Sequence, residues 1–169
     1  SEATHDAIVW GPGAEGAANK AAGTPLMRKP ITSELGGVAP VIVTPGRWSK
    51  RDLEFQARHV ATMRLHNSGA NCVAGQVVVV SKDWKQKDDF LAALRRALAD
   101  APVRPAWYPG TGPRIDAARG GATPFEALGG TPERTLLPAL DPFEDEAAYS
   151  MEFFGPVLGV TEMPGTGAG

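Results

Sequence analysis

Apolar residues along the middle of the chain alternate between two spacings. Pro40 to Val43 is a continuous apolar run closed by Thr44, Pro45 and Gly46, the pattern of a short strand covered on both faces. Ser49 follows, with Asp52 three positions on, as the two ends of a capping box. From there Leu53, Ala57, Val60, Ala61 and Leu65 recur at intervals that place them on one face of a helix, while Lys50, Arg51, Glu54, Arg58 and Arg64 fall largely on the other. This amphipathic helix is expected to end across His66-Asn67-Ser68-Gly69, where a basic side chain meets the last carbonyls and a glycine accepts a left-handed backbone.

Val77 to Val80 is a run of β-branched residues, whose restricted side-chain torsions suit a central strand. A second helix is predicted over Lys85 to Asp100, with Phe90, Leu91, Leu94, Ala97 and Leu98 as its apolar stripe and Pro102 as its stop. The order strand, helix, strand, helix predicts an α/β fold with a mostly parallel open sheet and flanking helices, because parallel neighbours need a crossover. Residues 101–142 hold eight of the fifteen prolines and six glycines, and read as a long irregular connection. Within it Thr135 to Leu140 is a strand candidate that Pro138 assigns to a sheet edge. Pro156 to Thr161 is the last strand expected. Residues 1–163 then form one domain and 164–169 a flexible glycine-rich tail.

Composition narrows the function. The 169 residues, 43% of them apolar, suffice for one core. Seventeen Lys and Arg against nineteen Asp and Glu leave a formal charge of −2, which argues against nucleic acid or an anionic membrane as partner. Cys72 is the sole cysteine, so it forms no internal disulfide and cannot alone hold a structural zinc. Ser1 to Trp10 lacks the basic flank and apolar run of a secretory signal, and no stretch has the roughly 18 apolar residues of a membrane span. The expectation is a cytoplasmic protein with no metal site. Gly11-Pro12-Gly13-Ala14-Glu15-Gly16 has the spacing of a dinucleotide-phosphate loop, with Glu34 at a suitable distance onward. Ser1 to Trp10 reads equally as a helix capped by Ser1 and ended by Gly11, so a glycine-rich turn between two helical pieces is the reading adopted.

Three short segments carry candidate chemistry. Ser33-Glu34-Leu35-Gly36-Gly37 places a carboxylate before the first strand. Asn67-Ser68-Gly69-Ala70-Asn71-Cys72-Val73-Ala74-Gly75 places the cysteine in a turn before the second. Glu152-Phe153-Phe154-Gly155-Pro156-Val157 places a carboxylate and aromatics before the last. Loops beside strands are where open α/β sheets assemble ligand sites. A thiolate is the strongest common nucleophile near neutral pH, and a carboxylate within reach of a water can serve as general base.

In that order, Glu-Leu-Gly-Gly, Asn-x-Gly-x-x-Cys and Glu-x-Phe-Gly-Pro-Val resemble the catalytic half of the NAD(P)-dependent aldehyde dehydrogenase superfamily. The likeness runs from about the first residue to Val160 and covers part of such an enzyme, which implies an excised piece, incomplete at both ends, of a homo-oligomeric parent, itself able to self-associate. By resemblance Cys72 matches the nucleophile, forming a thiohemiacetal and then a thioester with a small aldehyde. Glu34 matches the base that activates water, Glu152 the carboxylate on the nicotinamide ribose, and Phe154 the aromatic near the nicotinamide. NAD or NADP is the implied cofactor, most of its site lying outside this chain, so the chain alone is expected to be weakly active or inactive. The family's oxyanion-hole asparagine has no counterpart here. Ala70 stands where the family has Gln or Glu, Val38 where Lys or Asn is commoner, and Ser33 where an apolar residue precedes the glutamate. These departures, with a short proline-rich stretch between Cys72 and Glu152, imply a divergent branch.

Two other classes compete. A cysteine hydrolase or acyl transferase would pair Cys72 with His59 or His66, although a histidine at a helix end is also explained by the helix dipole. An inert folded domain would show neither activity. Phe153 and Phe154 read most simply as core, and Cys72 on its own as a buried small hydrophobe.

Overall fold

A computed structural model describes residues 2–165; the expected Ser1 cap and most of the expected 164–169 tail lie outside them. The chain divides into two compact units, Ser1–Gly37 and Val38–Gly169. In the first, α1 (Glu2–Val9) and α2 (Gly13–Ala22) flank the glycine-rich segment. It is a turn between two helices, and the element before it is α1. Gly16 serves packing, since a Cβ there would collide with the Gly11 carbonyl oxygen, and Gly13 takes positive φ. Asn19 donates to the Trp10 carbonyl, and Lys20 pairs with Glu2 and Asp6 across the two helices.

The second unit is a five-stranded sheet with helices on both faces. Its strands are β1 (Ala39–Val43), β2 (Gly75–Ser81), β3 (Glu126–Ala127), β4 (Thr135–Leu140) and β5 (Val157–Met163). They lie in the order β1-β2-β5-β4-β3, all parallel except β3. Alternation along β2 divides the core. Val78 and Val80 join Leu158 and Val160 of β5 under α3 (Lys50–Leu65) and α4 (Lys87–Asp100). Val77 and Val157 face the other way, toward Ile115 and Ala118 of α5 (Thr111–Arg119) and Ala148 of α6 (Ala147–Ser150). The result is the expected three-layer α/β arrangement.

Local signals set the ends of α3. Ser49 accepts from the Asp52 N–H and the Asp52 carboxylate accepts from the Ser49 N–H, completing the capping box.

Four local expectations are corrected. Among the described residues β1 is the outermost strand on its side of the sheet, and one of its faces is uncovered, with Ile42 71% exposed rather than covered on both faces. Residues 101–142 are not one irregular connection, since they contain α5, β3 and β4. β4 lies inside the sheet between β5 and β3; the register shift between Leu137 and Leu140 accommodates Pro138, which has no N–H for the ladder. Arg64, expected on the polar face of α3, is buried.

Candidate functional site

The cysteine turn begins where α3 stops. Asn67, Ser68 and Gly69 all take positive φ, at 53°, 54° and 81°, in a left-handed turn that ends the helical path of α3. Asparagine tolerates this conformation, and its side chain is used twice: Nδ2 donates to the Ala70 carbonyl at 3.1 Å, and Oδ1 accepts from Trp107 Nε1 at 2.8 Å. Ser68 Oγ donates to the Arg104 carbonyl. A tight turn closed by the Ala74 N–H on the Asn71 carbonyl then presents Cys72, which is exposed and unpaired rather than core.

The carboxylate segment, 151–156, joins α6 to β5. Its backbone is held by one side chain from the central strand. Gln76 of β2, fully buried, donates through Nε2 to the carbonyls of Ala148 and Met151, at 3.0 and 2.7 Å, and accepts from the Phe153 N–H at 3.0 Å. Phe153 is wholly buried and anchors the segment. Its neighbours point elsewhere. Phe154 is half-buried at φ 45°, its carbonyl accepts from Thr111 Oγ1 at 2.9 Å, and its ring lies 4.8 Å from that of Tyr108. Phe154 is therefore not core, whereas Phe153 is.

Glu152 is half-buried, and its Oε1 is buried with no hydrogen-bond partner. Burial pushes its carboxyl above the ordinary carboxylate value, against the opposing pull of the Arg114 and Arg64 guanidinium groups.

The two segments meet at Gly69. A Cβ there would lie 2.3 Å from the Gly155 carbonyl oxygen and 2.6 Å from Arg64 Nη2, so glycine is required by space as well as by φ. Cys72, Glu152 and Phe154 thus belong to adjoining loops at one end of the sheet, each leading into a strand. Glu34 lies in the other unit, exposed, in a stretch outside helix and strand between α2 and β1.

Arg64 and Gln76 hold these loops, and sequence reasoning passed over both. An arginine at the boundary of an amphipathic helix is ordinarily solvated, and Gln76 carried no motif. The one available signal was Gln76 as an amide at the head of an otherwise apolar strand. His66 does not engage the thiol; its Nδ1 lies 3.0 Å from Asn71 Nδ2, and among the described residues no hydrogen bond joins Cys72 to a histidine. A cavity of about 540 Å³ opens between α3 and α4, floored by Ala61, Ala93 and Ala97, and neither Cys72 nor Glu152 lines it. Among the described residues no cluster of His, Cys, Asp and Glu could hold a metal ion, and no helix is long and apolar enough to cross a membrane.

The family model described as "Aldehyde dehydrogenase family" matches residues 14–120. No curated protein matches the chain. Among solved structures, a gamma-glutamyl-gamma-aminobutyraldehyde dehydrogenase from Burkholderia cenocepacia is similar at 27% identity and TM-score 0.58, covering 78% of this chain and 30% of that one. An NADP-dependent glyceraldehyde-3-phosphate dehydrogenase from Bacillus halodurans, complexed with NADP, shares the fold at 20% identity and TM-score 0.62, covering 87% and 33%. An NAD-dependent benzaldehyde dehydrogenase from Corynebacterium glutamicum does so at 21% identity and TM-score 0.56, covering 77% and 30%. The chain therefore spans about a third of the length of these relatives.

Proposed function

The chain belongs to the aldehyde dehydrogenase family, and on that premise we propose that it supplies the nucleophile for the NAD(P)-dependent oxidation of an aldehyde to a carboxylic acid. Cys72 is that nucleophile. Its thiolate adds to the carbonyl carbon, the carbonyl pair moves to oxygen, and a thiohemiacetal forms on sulfur. A nicotinamide dinucleotide, when bound, would supply the acceptor for the former aldehyde hydrogen as hydride, leaving the acyl group on Cys72 as a thioester. Glu34 takes a proton from the water that attacks this thioester, and the carbon–sulfur bond breaks to release the acid and restore the thiol.

Glu152 and Phe154 are the residues that would hold the cofactor's nicotinamide riboside end. Glu152 fits that part, because Oε1 is a buried acceptor with no donor of its own, and a ribose hydroxyl is a donor of the right kind. This unmatched acceptor, on the segment that touches the cysteine turn at Gly69, is the observation that supports the reading.

The test is acyl transfer followed by mass spectrometry. Exposure of the full chain to p-nitrophenyl acetate is expected to place one acetyl group on Cys72, and Glu34→Gln to prolong the life of that thioester. Cys72→Ser is expected to abolish that labelling. A thiol that reacts only after unfolding, or acetyl labelling indifferent to Cys72→Ser, would overturn the reading.

A further inference from the structure

Arg64 has no part in the chemistry above, and the helical pattern does not account for its burial. It is 2% exposed, and a guanidinium is strongly disfavoured there unless hydrogen bonds and opposite charge compensate it. Its partners show what compensates it. Nη2 donates to the Gly69 carbonyl at 2.7 Å and Nη1 to the Gly75 carbonyl at 3.3 Å. Those carbonyls stand immediately before and immediately after residues 70–74, the segment that carries Cys72. One planar group therefore ties both ends of the cysteine turn together, which the single ammonium of a lysine cannot reproduce in the same fork geometry.

The third nitrogen leaves room for a tie to the second half of the site. Nε is buried without a partner, as is Oε1 of Glu152, and the guanidinium acts on Glu152 as an attractive charge. Gly69, whose carbonyl Arg64 holds, is also the residue pressed against Gly155. Arg64 is thus in contact with one loop of the candidate site and in electrostatic reach of the other.

We propose that Arg64 is a positioning residue: it clamps the cysteine turn by both ends and sets it against the Glu152 segment, so that nucleophile and carboxylate keep one mutual geometry. The inference rests on the reading of Cys72 as nucleophile. Burial lowers Arg64 to about 10, with Glu152 opposing the shift, so the clamp stays cationic at neutral pH. Its two effects are separable by substitution. Arg64→Lys keeps a positive charge toward Glu152 but cannot hold both carbonyls, and Arg64→Met loses both effects.

The experiment compares the full chain with Arg64→Lys and Arg64→Met in three readouts. Acylation of Cys72 by p-nitrophenyl acetate depends on placement against a carbonyl, whereas alkylation by iodoacetamide needs only a thiolate. The ratio of the two rates across pH is expected to fall by about ten- to a hundredfold in both variants, the scale of a displacement near one ångström. The Glu152 carboxyl, followed by carbon-13 NMR and assigned with Glu152→Gln, faces Arg64 from α3 and Arg114 from α5. Its midpoint is expected to rise in Arg64→Met and to stay in place in Arg64→Lys. Amide exchange of residues 70–74 is expected to accelerate in both variants while that of α4 does not.

An unchanged rate ratio in a folded Arg64→Lys would overturn the proposal, and that variant decides alone if Arg64→Met does not fold. If the unsubstituted chain is not acylated at Cys72, the functional reading fails, and the clamp is judged on exchange and on the Glu152 midpoint. Wild-type exchange at residues 70–74 in Arg64→Lys would then overturn it.

Discussion

Replacement of Gln76 by leucine is expected to loosen the carboxylate segment and destabilise the whole unit. The side chain is 1% exposed and makes three hydrogen bonds to backbone groups of Ala148, Met151 and Phe153. Leucine is similar in volume and leaves two carbonyls and one N–H without a partner. An unsatisfied buried group costs about 1–3 kcal/mol, so three give about 3–6 kcal/mol after partial relaxation. The added apolar burial offsets about 1–2 kcal/mol of that. A net loss of about 2–4 kcal/mol follows, or about 5–15 °C in Tm for a chain of this size. Urea unfolding followed by tryptophan fluorescence should show a lower midpoint with an unchanged slope, and amides 151–154 should exchange fastest of the buried set. Gln76→Glu sharpens the case: it keeps the acceptor for the Phe153 N–H but aims a carboxylate at two carbonyl oxygens, so its deficit should shrink on acidification. A loss below about 1 kcal/mol in Gln76→Leu would refute the argument that this amide holds the segment.

Further expectations concern charge and edge. Glu152 sits above its ordinary value of 4.5 because it is buried. The folded chain therefore binds more protons than the unfolded one from about that pH upward to the raised folded midpoint, and stability falls as pH rises through that window. Glu152→Gln removes this penalty, so its urea midpoint should match that of the parent in strong acid and exceed it increasingly toward neutrality; parallel profiles would contradict the assignment. Arg134, 5% exposed, donates to the carbonyls of Leu98, Ala99 and Ala101 at 2.7, 2.8 and 2.5 Å, closing the C-terminus of α4. Arg134→Met is expected to cost about 3 kcal/mol or more by calorimetry, and a change under about 1 kcal/mol would show those carbonyls satisfied otherwise. Ile42→Thr, at an exposed position of edge strand β1, is expected to stay within about 0.5 kcal/mol of the parent in urea unfolding.

Much of this protein is legible along the chain. The capping box at Ser49 and Asp52, the stripe from Leu53 to Leu65, the β-branched run at Val77 and the stripe from Phe90 to Leu98 depend on neighbours a few residues apart, and each forms where its pattern places it. The glycine-rich turn between α1 and α2 is equally local. Candidate chemistry was legible for the same reason, since Cys72, Glu34, Glu152 and Phe154 sit in short motifs whose order matches a family. The meeting of the Cys72 and Glu152 segments at Gly69 was not. β1 reads as a strand covered on both faces because an apolar run carries no record of which layers come to pack on it, and one of its faces stays open at Ile42. Pro138 reads as an edge signal because a register shift on β5 is invisible from within β4.

Arg64 and Gln76 mark the same boundary most sharply. Arg64 looks solvated from its helical position, and Gln76 looks incidental. Gln76 is buried because groups 72 to 77 residues away arrive beside it once the strands pair, and Arg64 because the turn after α3 folds the Gly69 and Gly75 carbonyls, 5 and 11 residues on, back over it. Helix, strand and cap follow from backbone preference and side-chain spacing, which act over one or two turns. Which polar group is buried, and which loop it holds, follows from long-range pairing that brings distant hydrogen-bonding groups out of water together, where each must find a partner.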